Sequence, residues 1–284
     1  MSFSQGNVRK LIMFGLVGVA LLVSLAGLIA SHVAASAHGA DEYNAYALLQ
    51  HTPYGNAELK WNAGSKNLTV TITLVGLTQN STHPAHIHLG NCNAMGPVKY
   101  MLNNVVANAA GIGTSTTVIP NIATGIAAND WSINVHNGPT LTPADQFIPI
   151  ACGNIHNPHK AHYLKVQLGA TNAANQATAG ISLLTLKDHT MTVIVVVRGL
   201  GLVPGSVHAD HIHVGTCQKQ VPGTVMYMLN NLVADKYGNA SSITVLHNVA
   251  RILDKGWYIN VHRTTMLTTQ TGFDPIACGN VQER

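Results

Sequence analysis

The sequence predicts an all-β protein in which a leader segment is followed by two tandem domains, each an antiparallel β-sandwich or flattened barrel. The chain of 284 residues is an internal duplication, because the same motifs return in the same order about 125 residues later. Short alternating runs of Val, Ile and Thr are separated by Gly, Asn and Pro, which is typical of strands joined by turns. No convincing amphipathic helix follows the leader. Repeat units of roughly 110 residues with many short strands favour a sandwich or a barrel.

The leader predicts export from the cytoplasm. The run from Leu11 to Ala30 is almost wholly apolar, Arg9 and Lys10 precede it, and small residues ending at Ala37 follow it. A basic start, an apolar core and an Ala-x-Ala-like end are typical of a cleaved signal peptide. The apolar run also approaches the ~20 residues that span a bilayer, so an uncleaved membrane anchor is the alternative. Both interpretations of residues 1–37 place the rest of the chain outside the cytoplasm.

The repeat defines two domains and a short connection between them. We expect the first domain at residues 38–155, a linker with His, Asn and Pro at residues 156–160, and the second domain at residues 161–284. Each domain is long enough to bury a core of its own. The strands with the clearest signals are Leu68–Leu77, Ser115–Ile119, Ser132–His136, Thr192–Arg198, Ser242–Leu246 and Tyr258–His262.

Charge and composition do not indicate a nucleic-acid partner. Only 9% of the residues are charged, and the net charge is +4. Lys and Arg are scattered without the basic run that such a partner requires. Histidine is the unusual ionisable residue, with sixteen copies against fifteen of Lys and Arg together.

The cysteines predict one disulfide in each domain. The chain has four cysteines, two in each repeat, and an even count in an exported chain indicates disulfides. The repeat limits the pairing to Cys92 with Cys152 and Cys217 with Cys278. A cysteine metal site is disfavoured, because no two cysteines lie near each other in sequence as zinc-binding pairs do.

Three histidines in each repeat have the arrangement of metal ligands. A His-x-x-His-x-His cluster precedes the first cysteine, and a Trp-x-Ile-Asn-Val-His strand comes later. Because successive strand residues face opposite sides, the imidazoles fall on the face away from the apolar residues, where they can converge on one ion under a loop. Imidazoles alone suit copper or zinc, and a hydrogen-bonded structural role is the alternative. The predicted ligands are His86, His88 and His136 in the first domain and His211, His213 and His262 in the second.

The first histidine of each cluster has a different expected role. His83 and His208 lie three residues before the ligand pair, at the entrance of the strand. We expect them to brace the site by hydrogen bonding rather than to bind the ion.

These motifs resemble the copper/zinc superoxide dismutase family over most of each domain. His83–His88 is similar to that family's copper-binding strand, Asn134–His136 to its second copper strand, and Ile150–Gly153 to its terminal segment. The second domain repeats all three motifs. The resemblance implies a Greek-key fold, one copper ion per domain on the three predicted histidines, the same two disulfides, and superoxide as the substrate.

The chain also departs from that family in ways that bear on activity. Only nine residues separate Cys92 from Leu102, and none is His or Asp, so the loop that carries the zinc ligands and the bridging histidine is missing. Pro149 and Pro275 stand where the family has the arginine that guides superoxide. Copper binding therefore carries over better than rapid dismutation, and zinc is not expected.

A more distant resemblance is to CHRD domains, which share the His-Ile-His-x-Gly and Asn-Val-His segments in extracytoplasmic proteins. Two functions follow from the two resemblances. The first is an exported copper protein with superoxide dismutase-like chemistry, and whether it is an enzyme stays open. The alternative is a non-enzymatic module that binds or buffers copper, or a CHRD-like surface domain. The expected partners are superoxide or copper ions, and the membrane if the leader is retained.

Two further interpretations concern the metal. Met95, Met101, Met226 and Met228 lie near the histidine segments and are candidates for holding Cu(I), with core or loop packing as the favoured alternative. A zinc-bound water that acts as a hydrolytic nucleophile is the least favoured chemistry, because no general base stands beside the predicted ligands.

Overall fold

The computed structural model is an all-β protein, as the sequence predicts. It describes residues 42–176, 179–198 and 201–284, and the predicted leader at residues 1–37 lies outside these ranges. The strands are β1 (Glu42–His51), β2 (Tyr54–Asn62), β3 (Asn67–Val75), β4 (Thr82–Asn91), β5 (Ala94–Ala107), β6 (Gly113–Ile119), β7 (Trp131–His136), β8 (Pro149–Ile155), β9 (Tyr163–Leu168), β10 (Ala179–Lys187), β11 (Thr190–Arg198), β12 (Val207–His208), β13 (Asp210–Thr216), β14 (Lys219–Met228), β15 (Leu232–Val233), β16 (Ala240–Leu246), β17 (Trp257–His262) and β18 (Pro275–Glu283). Two one-turn helices, α1 (Ala144–Phe147) and α2 (Gln270–Phe273), precede β8 and β18. Within the described ranges, no helix has the length and apolar character that crossing a bilayer requires.

Alternation along the strands produces two separate apolar cores. In β3, Leu68, Val70, Ile72 and Leu74 are buried, while the residues between them are partly exposed. The same pattern recurs in β11. Because side chains alternate across a strand, each sheet buries one face and curls around it. One core lies inside each of the two eight-stranded sheets.

The first sheet closes into a barrel. Its strand order is β8-β7-β4-β5-β6-β3-β2-β9, which requires Greek-key crossovers rather than a simple meander. The two ends of this sheet meet where Cys152 and Gly169 exchange main-chain hydrogen bonds of 3.0 and 3.1 Å. Closure leaves the barrel without a free edge strand, which protects it from pairing with other chains.

The second sheet repeats this architecture in the order β14-β13-β17-β18-β1-β10-β11-β16. Its ends meet at Asn230, whose main-chain N–H donates to the hydroxyl of Thr244 at 2.8 Å and whose side-chain amide donates to the carbonyl of Ile243 at 2.7 Å. Asn103 makes the equivalent pair of hydrogen bonds in the first barrel. Followed around each closed barrel, equivalent strands therefore come in the same order. In both barrels an asparagine makes the same link, between β5 and β6 in the first and between β14 and β16 in the second.

The two repeats exchange their first strands. β1 lies between β18 and β10 of the second repeat, whereas β9 lies beside β2 of the first. The register pairs Ala47 with Val281 and Val166 with Ala57. Each barrel is thus completed by a strand from the other repeat, and residues Tyr43–Arg284 form one compact unit. The predicted domain boundaries follow the sequence repeat and stay a prediction, because strand pairing crosses them.

Both predicted disulfides are present. Cys92 is bonded to Cys152 and Cys217 to Cys278, with sequence separations of 60 and 61 residues. Closing loops of this length removes chain entropy from the unfolded state and stabilises the fold by roughly 2–4 kcal/mol each. Cys152 hydrogen-bonds Gly169 at the end of β9, and Cys278 pairs with Gln50 of β1. Each disulfide therefore anchors the strand that pairs with an exchanged strand, which is β8 beside β9 in the first barrel and β18 beside β1 in the second.

Candidate metal centre

Strands β4 and β7 place three imidazoles on the outer face of the first barrel. Ile87 and Val135 point into the core. The alternation of strand residues then turns His86, His88 and His136 to the opposite face. This is the arrangement that the sequence predicts for the three ligands.

The three imidazoles lie close enough to share one ion. The Nδ1 atom of His86 is 3.2 Å from the Nε2 atom of His136. One ring nitrogen from each of His86, His88 and His136 lies within 4.8 Å of the other two. Nitrogens that bind one ion at roughly 2.1 Å lie about 3–4 Å apart, so little movement would be needed. Metal binding itself stays a prediction.

Main-chain carbonyls fix the proton positions on two of these rings. The Nδ1 atom of His88 lies 2.9 Å from the carbonyl oxygen of Gly96, and that of His136 lies 2.6 Å from the carbonyl oxygen of Phe147. A carbonyl oxygen only accepts, so each Nδ1 carries the proton and each Nε2 carries a lone pair. The Nε2 atom of His88 is buried and has no hydrogen-bond partner among the residues that the structure describes. Such contacts orient histidines as metal ligands.

The second barrel builds the same cluster on β13 and β17. The Nδ1 atom of His211 is 3.1 Å from the Nε2 atom of His262, and the Nδ1 atom of His262 donates to the carbonyl oxygen of Phe273 at 2.5 Å. His213 completes the group of three. The donor set is therefore the same in both barrels.

The surroundings of the two clusters differ at the residue that follows the tryptophan of β7 and of β17. The ring of Tyr258 stacks on His213 with ring centroids 5.0 Å apart, whereas the first barrel has Ser132 at the equivalent point of β7. Tyr258 also packs against the Cys217–Cys278 disulfide, and burial raises the pKa of its hydroxyl. An aromatic wall thus shields the second cluster where the first has a small hydroxyl.

His83 and His208 hold main-chain atoms and do not face the clusters. The Nδ1 atom of His83 donates to the carbonyl oxygen of His136 at 2.9 Å, and its Nε2 atom lies 2.7 Å from the hydroxyl oxygen of Ser81. His208 makes the same contacts to the carbonyl of His262 (3.0 Å) and to a neighbouring serine (2.7 Å). With both ring nitrogens engaged, each residue fixes the backbone at the last histidine of its cluster.

Burial favours the neutral form of four of the six clustered imidazoles. Burial lowers the pKa of His86 to about 4, and the neighbouring His136 and His88 lower it further. Burial also lowers the pKa of His262 to about 3, against an opposing hydrogen bond from its ring to a main-chain carbonyl. The pKa values of His136 and His211 are lowered by burial as well. Neutral imidazole is the form that binds metals, so these rings are in the binding state at neutral pH.

The loops that carry α1 and α2 cover the two clusters. The ring of Phe147 packs against His136 with centroids 5.1 Å apart, and Phe273 packs against His262 at 4.7 Å. Neither phenylalanine is predictable from the sequence, because the atom that accepts from the histidine ring is a main-chain carbonyl oxygen, which any residue could provide. The available signal is the spacing, since each phenylalanine follows the last histidine by eleven residues.

The loop that carries α1 and the loop that carries α2, which cover the two clusters, contact each other. The side chain of Gln270 accepts from the main-chain N–H of Thr82 at 3.2 Å and donates to the carbonyl oxygens of Thr82 (2.9 Å) and Asn137 (3.0 Å). The hydroxyl of Thr271 donates to Asp145 at 2.6 Å. The cover of the first cluster is therefore held in place by the loop of the second repeat.

Asp210 is a buried carboxyl group that the sequence analysis does not single out. It precedes His211 on β13 and is fully buried on the core side, where the first barrel has Ala85. Within the described part of the chain neither carboxyl oxygen makes a hydrogen bond of good geometry, and the nearby main-chain N–H of His211 offsets the effect of burial only in part. Burial raises the pKa of Asp210 well above its usual range. The group therefore destabilises the second barrel at neutral pH.

Replacing this carboxyl group should stabilise the protein. Asp210→Ala copies Ala85 of the first barrel, and we expect it to raise the free energy of unfolding by about 1–3 kcal/mol at neutral pH. Because folding raises the pKa of Asp210, the unfolded state ionises first, and the gain should grow as the pH rises above roughly 4. Urea unfolding at two pH values would measure it. The reciprocal Ala85→Asp should destabilise, and equal stabilities of Asp210→Ala and the parent chain would contradict the prediction.

One family matches part of the chain. Residues 164–266 match the model of the CHRD domain, a span that includes all four of the clustered and bracing histidines of the second barrel, His208, His211, His213 and His262. Among curated proteins, none matches this chain. The more distant of the two resemblances drawn from the sequence is thus the one that a family match supports, and the resemblance to superoxide dismutases stays a prediction.

Proposed function

We propose that this chain is an extracytoplasmic copper-binding protein whose two three-histidine clusters each hold one copper ion, without an enzymatic role. The supporting observation is that each barrel brings three buried imidazoles together, with one ring nitrogen of each within 4.8 Å of the other two. In the first barrel the Nε2 atoms of His86 and His88 are buried, and neither has a hydrogen-bond partner among the described residues. A buried polar atom without a partner costs free energy, which an ion at that point would recover.

The donor set favours copper over zinc. Each group of three consists of imidazoles alone. Imidazole suits copper and zinc, and for a given set of nitrogen ligands Cu²⁺ binds more tightly than Zn²⁺. Structural zinc sites normally have four protein ligands, while catalytic ones need a base beside the bound water. Neither feature accompanies the clusters within the described ranges, so copper is the ion we expect.

Superoxide dismutation is the second candidate, because the ligand motifs resemble those of the dismutase family. A bound copper ion would supply one-electron chemistry. The chain's own residues would have to admit a small anion, yet His86 and His136 are only 2% exposed beneath the cover. Prolines at 149 and 275 stand where that family has its guiding cation. These features favour holding copper over rapid turnover.

The proposed location rests on three features that agree. Two disulfides are formed, and such bonds persist in oxidising compartments. The matched CHRD domain and the predicted export leader point the same way. Retention of the leader would add an attachment to the membrane.

Copper content would test this function directly. A chain that begins at residue 38, loaded with copper and dialysed, should retain two ions. His86→Ala should leave one ion, and His86→Ala combined with His211→Ala should leave none, because each change removes a ligand from one cluster. The exposed linker histidines provide the control, since His156→Ala with His159→Ala should retain both ions.

Two outcomes would overturn the proposal. Copper that is absent from the parent chain, or that survives the loss of both His86 and His211, would exclude the clusters as the binding sites. Superoxide consumption near the diffusion limit that disappears in the same double variant would replace the non-enzymatic role by dismutation.

A further inference from the structure

Each cluster has a methionine directly beside it. β5 places Met101 opposite His86, and β14 places Met228 opposite His211. Directly opposed residues of an antiparallel pair project on the same face, with Cβ atoms about 4.5–5.5 Å apart. Both methionines therefore stand on the face that carries the imidazoles, at the same register in the two barrels.

These methionines do not fill the core. Met101 is 65% exposed and Met228 is 61% exposed, whereas the core residue Met191 is completely buried. An exposed methionine contributes little to packing, and each of these two shares its strand with another exposed apolar residue. The favoured sequence interpretation is core or loop packing, and its core part does not hold for Met101 and Met228.

The residues next to the methionines make this edge apolar. Val98 lies opposite His88 and Val225 lies opposite His213 in the two barrels. Both valines are exposed, at 45% and 42%. Among these exposed residues beside each cluster, the thioether sulfur of Met101 or Met228 is the polarizable donor, because the neighbouring valine is aliphatic. Its three rotatable bonds allow the sulfur to turn towards an ion.

Building on the proposed copper-binding function, we infer that Met101 and Met228 are thioether ligands that receive Cu(I) at the outer edge of each cluster. Thioethers are soft donors that select Cu(I), whereas imidazoles also suit several divalent ions. The sulfur therefore adds selectivity for the reduced ion. Because the thioethers are exposed and the imidazoles are buried, the sulfur is the first donor that an incoming ion meets.

The affinity of the protein for Cu(I) would show whether the sulfurs of Met101 and Met228 bind the ion. The full chain from residue 38 would be titrated without oxygen against a chromophoric Cu(I) chelator. Met101→Leu with Met228→Leu keeps size and exposure but removes both sulfurs, and should lower Cu(I) affinity roughly tenfold or more, the scale seen when a metal site loses a supporting group. Affinity for Cu²⁺ should stay unchanged, because the imidazoles remain.

Two other methionines provide the matched control. Met95 pairs with Gly90, and Met226 lies between the residues that pair with Ile212 and His213, so neither is opposed to a clustered histidine. Met95→Leu with Met226→Leu should leave Cu(I) affinity unchanged. X-ray absorption of the Cu(I)-loaded parent chain should show sulfur bound to copper, and the Met101→Leu, Met228→Leu chain should not.

The outcomes separate this inference from the function on which it rests. Equal Cu(I) affinities in the parent chain and in the Met101→Leu, Met228→Leu chain, or a copper spectrum without sulfur, would overturn the role of the thioethers while leaving the imidazole sites intact. A parent chain that retains neither Cu(I) nor Cu²⁺ would overturn the proposed function itself.

Discussion

A fragment of residues 52–170 should fold into a stable barrel, whereas a fragment of equal length at residues 42–160 should not. The fragment of residues 42–160 follows the sequence repeat and contains β1 to β8. The fragment of residues 52–170 contains β2 to β9, which are the eight strands of the first barrel in the structure. Both fragments carry the same three clustered histidines and the same disulfide, so they differ only in the strand that closes the sheet.

The expected difference comes from β9. This strand pairs with six residues of β2 and buries Val166 and Leu168 in the first core. Burying each aliphatic side chain contributes roughly 1.5–3 kcal/mol, and the hydrogen bonds between Cys152 and Gly169 close the barrel. Domains are stable by only about 5–15 kcal/mol, so the loss is comparable to the whole stability. β1 cannot compensate, because it lies in the other barrel.

Thermal unfolding followed by circular dichroism, together with copper retention, would measure the difference. The fragment of residues 52–170 should unfold cooperatively and retain one copper ion. Adding residues 161–170 to the unstable fragment should restore folding, which controls for any harm done by β1 itself. Equal folding of both short fragments would show that β1 can replace β9 and that the exchange is not required.

The exchange illustrates what the sequence could not indicate. The strand alternation of β3, β7 and β17 is visible in the sequence, because the buried face depends on local residues alone. The partner of β1 is not visible, since β1 and β9 are the equivalent first strands of the two repeats. The residues of β1 and β9 do not by themselves indicate which barrel each strand joins, because that depends on the path of the chain after residue 51 and residue 168.

The candidate site likewise has features that the sequence predicts and features that it does not. Spacing and alternation suffice to place His86, His88 and His136 on one face, because all three lie in strands. The carbonyl oxygens of Gly96 and Phe147 that orient two of these rings could not be predicted, since they belong to a hairpin and a loop. The depth of burial also depends on how those loops fold over the cluster.

The metal-free protein should lose stability as the pH falls from about 6.5 towards 3, with His262 as a major cause. Burial lowers the pKa of His262 from 6.5 to about 3. The unfolded chain therefore takes up the proton first. The stability that neutral His262 contributes is fully present above pH 6.5 and is lost as the pH falls through the pKa of the folded state. At roughly 1.4 kcal/mol per pKa unit, the full shift is worth about 4–5 kcal/mol.

Urea unfolding of the metal-free chain at neutral pH and near pH 4 would measure this loss. His262→Asn keeps a donor towards the carbonyl oxygen of Phe273 but removes the titrating ring, so its stability should depend less steeply on pH. His247→Asn, a change at an exposed histidine, should keep the slope of the parent chain. Parallel curves for the parent chain and His262→Asn would contradict the prediction. If the dependence of the free energy of unfolding on pH flattens only in His262→Asn, the acid sensitivity comes from the imidazole of His262. Burial holds that imidazole in its neutral form, which is the form that binds metals.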